Sequence, residues 1–209
     1  AAVVTDPRRG YLQHLDAAGL ADWAAGQGAS VRLLVKPGDY VFPGAVIAEV
    51  LPATEGASSA VADATVLGPQ RVSSDDLEYA IRQLVEVAVR ALSPGINDPH
   101  TAISVLDRLG ATLCDLVPLH LPTGVLVRGG RVALQAPGFD YAGLTDAMFH
   151  MIRQNAKGSV AVLARLLELL TAVAGCEPDP ERRASLRRHA GLVLADAERS
   201  VPNTSDLDD

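Results

Sequence analysis

Residues 76–110 read DLEYAIRQLVEVAVRALSPGINDPHTAISVLDRLG, and they hold two helices and the join between them. In the first, about Asp75 to Leu92, the residues Leu77, Ile81, Leu84, Ala88 and Leu92 recur at helical spacing and form one apolar face. Ser74 is its candidate cap, with Asp75, Asp76 and Glu78 in the first turn, where acidic groups complement the helix dipole. The second helix runs from about Pro99 to Leu116. Between them, Pro94 bars Ser93 from helical dihedrals and Gly95 offers positive φ. Asn97 or Asp98 can cap the second helix, and Pro99 fits its first position, where a missing N–H costs nothing. Ile96 is expected to plug the core across the turn. Capping residues and binding residues are of the same types, so Ser93, Asn97, Asp98 and Thr101 stand both as a turn and as a candidate ligand or interface site.

The first seventy residues are mixed. GYLQHLD (10–16) alternates as a strand, and DAAGLADWAAGQG (16–28) has helical spacing that stops at Gly26 and Gly28. SVRLLV and AVIAEV are β-branched runs flanking the turn residues of KPGD and FPG. Residues 52–63, PATEGASSAVAD, are small and polar enough to read as a mobile loop. After the second helix, GVLVRGGRVALQA reads as a hairpin turning at Gly129 and Gly130. Three more helices follow, about Tyr141 to Asn155, Ser159 to Ala174 and Pro180 to Arg199, and the polar tail is expected to fray. The fold class is therefore α+β, mostly α. A small β-rich part over 1–70, with PGD-turn strands, precedes a helical domain over 71–209 of about five helices with one inserted hairpin.

Composition narrows the function classes. Hydrophobic residues make up 48% against 4% aromatics, so Ala, Val and Leu must build the core. Such aliphatic excess suits burial between subunits or against a neighbouring segment. A net charge of −7 argues against a nucleic-acid partner, which needs a basic footprint. Lysine occurs only at Lys36 and Lys157 while arginine occurs sixteen times. Cys114 and Cys176 form no CxxC motif and are expected as reduced core residues. No apolar run approaches the roughly 18 residues of a membrane span. The chain opens AAVVTDPRRGYL without Met, as part of a longer or processed protein would.

Glu78, Arg82, Glu86 and Arg90 recur every fourth residue with alternating sign. As a solvated stripe they contribute about 0.3–0.5 kcal/mol per pair; as a seam against another subunit each charge would need its partner. The five histidines form no H-x-x-x-H pair and none has ligand spacing to a Cys, so no metal is expected. Ser93, Asp98 and His100 lie too close in sequence for a hydrolase triad, and G-x-S-x-G is absent, so no catalytic set is assigned. Arg182, Arg183, Arg187, Arg188 and His189 read as a basic helix face, solvated or set against acidic lipid head groups. VKPGDYVFPGAVIAEV (35–50) resembles the repeat of biotinyl and lipoyl domains, but neither lysine occupies the hairpin tip that carries such a cofactor; no cofactor is expected.

GYLQHLD, VKPGDYVFPG, the 76–110 run and DYAGLTDAMFHMIRQNAKGS (140–159), in that order, resemble the soluble C-terminal part of the bacterial domain-of-unknown-function family 2254, predicted membrane proteins. The resemblance covers nearly the whole chain. It implies transmembrane segments outside this chain and a membrane location; with an even number of such helices and an inside N-terminus, this domain is expected to face the cytoplasm. It brings no reaction and no catalytic residues. Three readings follow. The first is a non-enzymatic domain that assembles as a homo-oligomer and scaffolds or gates the membrane part. The second is a small-ligand or anion sensor, with a pocket expected between the β-rich N-terminal part and the SPGINDPHT turn and Gln83, Arg90, Asn97 and Thr101 at its polar end. The last is an enzyme using Asp98, His100 or Glu86 as acid–base groups.

Overall fold

The computed structural model describes residues 1–72 and 76–200. Ser74 and Asp75, expected at the start of the first long helix, and the tail from Val201 lie outside the described residues. The chain forms two compact units: residues 1–79 with 121–139, and residues 80–120 with 140–209.

The first unit holds β1 (Ala2–Asp6), β2 (Gly10–Leu15), α1 (Ala17–Gly26), β3 (Ser30–Leu33), β4 (Tyr40–Val41), β5 (Ala45–Leu51), α2 (Ala57–Asp63), β6 (Thr65–Gly68), β7 (Val125–Arg128) and β8 (Arg131–Gln135). They make a five-stranded sheet of order β1-β5-β3-β8-β7 and a three-stranded sheet β4-β2-β6. Every pairing is antiparallel except β3 with β8. The inward positions of β3 and β5 (Val31, Leu33, Ile47, Val50) join Leu20, Ala21 and Ala24 of α1 and Val41 of β4 in one aliphatic core.

Two expectations change here. The hairpin lies between the second and third long helices in chain order, as read from Gly129-Gly130, and both glycines take the positive φ (57° and 76°) that a tight two-residue turn requires. Its strands, however, extend the N-terminal sheet, because Val31 pairs in parallel with Leu134, so the hairpin belongs with the first unit rather than the helical one. Residues 52–63 are not a loop throughout: α2 occupies Ala57–Asp63. Ala57 and Val61, four apart, are buried in the core, a pairing too short to stand out in a run of small residues.

The second unit is helical: α4 (Pro99–Leu116), α5 (Tyr141–Asn155), α6 (Val160–Cys176) and α7 (Pro180–Ser200), with α3 (Leu77–Ala91) entering it from Ala80 onward. α6 packs on α4 and on α7, and α5 packs on α7. Gly110 permits the α4–α6 approach, since a Cβ there would fall 2.5 Å from Leu169 Cδ1. Leu106, Leu109, Leu113, Met148, Phe149, Ile152, Leu166, Leu170 and Leu186 are fully buried, a core that is aliphatic, as composition required, except for Phe149. Both cysteines are exposed, contrary to expectation: Cys114 lies one residue past the inward Leu113, and Cys176 is the last residue of α6.

α3 is rotated from the expected face. Ile81, Val85, Ala88 and Ala91 are buried, while Leu77 is 38% exposed. Asp76 caps it, accepting from Tyr79 N at 3.0 Å, and is itself buried against Arg71. In the first unit, Asp6 is 2% exposed and its carboxylate accepts from the Arg8 guanidinium at 2.7 Å. Arg8 also donates to Ala62 O, Thr65 O and Thr65 Oγ1, tying the β1–β2 connection to the α2–β6 corner. The hydrogen bonds from Arg8 outweigh burial and hold the Asp6 carboxyl below its ordinary value of 3.8. Arg8→Met leaves that carboxylate buried without its cation. The expected cost at pH 7 is about 2–4 kcal/mol, below the figure for a sealed pair because Arg8 is partly exposed. Urea unfolding measures it. The depressed pKa makes this contribution complete above pH 4 and lost as pH falls through the folded value, so the variant and parent should converge in acid.

Candidate functional site

α3 and α5 enclose a groove of about 400 Å³ within the helical unit. α3 contributes Arg82, Val85, Glu86 and Val89, at the i, i+3, i+4, i+7 positions that share one side of a helix. α5 contributes Asp146, Ala147 and Met151. The floor is aliphatic and the rim carries both signs of charge. Met151 is 49% exposed on it, whereas Met148, one turn earlier on α5, is fully buried.

Behind the rim, α7 holds Asp146 in place. Arg188 Nη2 and His189 Nε2 lie 2.5 and 3.0 Å from the same oxygen, Asp146 Oδ1. His189 is fully buried and meets Phe149 edge-on, with ring centroids 5.7 Å apart. Burial, with the neighbouring Arg188 charge second, pushes its pKa down to about 4, and Asp146 offsets only part of this. The ring is therefore neutral at pH 7, and the Asp146 carboxylate requires its proton on Nε2. Burial pushes Asp146 up, but Arg188 outweighs it, and the net shift is downward. The Nδ1 atoms of His150 and His189 are buried without a hydrogen-bond partner among the described residues. An Asp–His pair of this kind could orient a base, but here the imidazole is sealed from solvent. What the groove offers is an apolar channel between charged rims. Among the described residues no three His, Cys, Asp or Glu side chains converge as a metal site.

The residues singled out in the sequence separate into two places. Arg82 and Glu86 line the groove, and Arg90 continues along the exposed face of α3. Glu78, at the other end of the stripe, lies 3.7 Å from Lys36. Gln83 is exposed and is not among the groove-lining residues. Ser93, Asn97, Asp98 and Thr101 form a turn closed on itself. Ser93 Oγ donates to Arg90 O, Asp98 N donates to Ala91 O, and Asn97, not Gly95, takes the positive φ of 48°. Asp98 is the cap: Thr101 N and Oγ1 donate to its two oxygens at 3.1 and 2.5 Å, and these bonds hold its carboxyl below the usual range. Ile96 does not plug the core; it is 55% exposed beside the left-handed Asn97.

The expected basic face of α7 is mostly committed to structure. Arg182 stacks 5.6 Å over the Tyr141 ring and donates to Leu119 O, Arg183 donates to Glu177 O and Pro178 O, and His189 is buried. Sequence reasoning missed Asp146, His150 and Met151. The signal was present in α5, where Asp146 and His150 stand four apart, but the partners of Asp146, Arg188 and His189, lie about forty residues downstream.

Residues 1–172 match the family DUF2254, described as "Predicted membrane protein". The chain belongs to this family. Among curated relatives, the DUF2254 chain is 32% identical over 209 residues to the uncharacterized protein MT1328 of Mycobacterium tuberculosis (strain CDC 1551 / Oshkosh), covering 96% of this chain and 40% of the relative. The same identity and coverage hold for the uncharacterized protein Mb1321c of Mycobacterium bovis. The DUF2254 chain thus spans about 40% of the length of the curated relatives it matches. No solved structure matches it. No helix among the described residues is long and apolar enough to cross a membrane.

The buried His189 sets a pH dependence. Its folded pKa of about 4 lies below the ordinary 6.5, so between those values the unfolded chain binds more protons. Stability is full above pH 6.5 and is expected to fall by about 3 kcal/mol as pH drops towards 4. Denaturant midpoints across that range should decline for the parent and stay nearly level for His189→Gln; parallel declines would contradict the assignment.

Proposed function

We propose that this part of the DUF2254 protein is a non-catalytic, water-exposed assembly domain. It joins copies of a membrane protein whose membrane part lies elsewhere in the longer chain, and through that assembly scaffolds or gates it. The observation that carries this reading is the outer side of α3. There a charged row of alternating sign runs beside an aliphatic groove, with Val87 48% exposed next to it and Met151 49% exposed across it. An exposed apolar channel framed by both signs of charge is the composition of a protein contact, where apolar burial supplies affinity and charge supplies register. The family description supports the membrane part.

A second reading, a small-ligand or anion sensor, draws on the same groove, whose volume lies in the range of ligand sites and whose rim includes Arg82. The rim's Glu86 and Asp146 disfavour an anion, so assembly is the stronger reading. Light scattering over a concentration series separates the two. The assembly domain should show a mass rising to a defined multiple of the single chain. A single-chain mass at every concentration, with a thermal shift on adding a nucleotide or inorganic anion, would favour the sensor.

A further inference from the structure

Glu78, Arg82, Glu86 and Arg90 form an E-R-E-R row on α3. At 1.5 Å rise per residue the row is about 18 Å long, and steps of four residues turn it only slowly around the helix. Read backwards, it becomes R-E-R-E. A second α3 laid antiparallel against the first therefore sets Arg82 opposite Glu86 and Glu86 opposite Arg82, with Glu78 and Arg90 facing each other at the two ends. A parallel copy in register would set Arg on Arg and Glu on Glu. Self-complementarity of this kind is what a two-fold interface demands, since the same patch must serve both partners.

We propose that two copies of this chain pair antiparallel through α3, about a two-fold axis at the level of residue 84. This rests on the assembly reading and names its partner and register. Three features besides the charge order support it. Arg82, Glu86 and Arg90 are exposed, held outward by burial of Ile81, Val85, Ala88 and Ala91. The apolar surface needed beside the charges is present at Val89, Ala147 and Met151, on the side of α3 that carries Arg82 and Glu86. Finally, Arg82 and Glu86 stand nearest the two-fold axis while Glu78, at the end of the row, lies 3.7 Å from Lys36, so the central Arg82–Glu86 pairs are the ones that decide register. Each central pair occurs twice by symmetry, so one substitution acts at two places.

The test is a charge exchange read by sedimentation equilibrium, with circular dichroism confirming that each variant folds. Arg82→Glu and Glu86→Arg should each weaken self-association by about 10- to 100-fold, because each sets like charges opposite one another twice. The double variant R82E/E86R should recover the parent's association. So should an equimolar mixture of the two single variants, which can pair only with each other. Association that is unchanged by either reversal, or weakened by both but not restored in the double variant or the mixture, would overturn the α3 pairing while leaving assembly through another face. A parent that is monomeric throughout would remove the assembly reading itself.

Discussion

The rotation of α3 about its own axis is set by four side chains, Ile81, Val85, Ala88 and Ala91, and much of the helical unit's surface chemistry follows from it. Burying those four aliphatics contributes several kcal/mol. No comparable force acts on the charged side, so the apolar residues fix the helix and the charges take what is left. Arg82, Glu86 and Arg90 are thereby turned outward. Had the alternative face of Leu77, Leu84 and Leu92 won, the same charges would stand at a different angle to α5, and the groove with Ala147 and Met151 would not form as it does.

The interior of the helical unit is less purely apolar than its composition suggests. Arg153 and Asp196, both buried, pair with each other, and Arg199 closes on the second carboxylate oxygen. His189 is neutral, and its bond to Asp146 links α7 to the groove rim on α5. Removing one member of such sets is costly, while their net contribution is small, because desolvation offsets most of the attraction. Their effect is on geometry. They hold α5 and α7 in one relative position, and so fix the wall that carries Asp146, Ala147 and Met151.

Local signals were legible in the sequence. Asp98 followed by Pro99 marked the start of α4, the paired glycines 129 and 130 marked the hairpin turn, and the spacing of α5 set both its ends. The E-R-E-R row was legible as a pattern, and its Arg82 and Glu86 line one groove. What sequence could not supply was long-range. Nothing local says that β8 pairs with β3 about a hundred residues away, or that Arg188 and His189 return to Asp146. α2 was missed because its burial rests on small residues whose inward face exists only once the sheet is there. The helical period of α3 was visible, but two overlapping apolar faces satisfied it, and only packing chose between them. A lone cysteine has no period at all, which is why Cys114 and Cys176 were misplaced.

The chain's two methionines offer a direct probe of whether copies meet on the α3–α5 face. Met151 stands 49% exposed on the groove and Met148 is buried in the core beside it, so the second serves as an internal reference for the first. Peroxide oxidation of each thioether, followed by mass spectrometry at concentrations well below and well above the onset of association, reads coverage of the groove without any mutation. Met151 should oxidise quickly in the dilute protein and become strongly protected at concentrations where chains associate, while Met148 stays slow throughout. A rising solution mass with an unchanged Met151 rate would place the contact elsewhere and contradict the α3–α5 pairing.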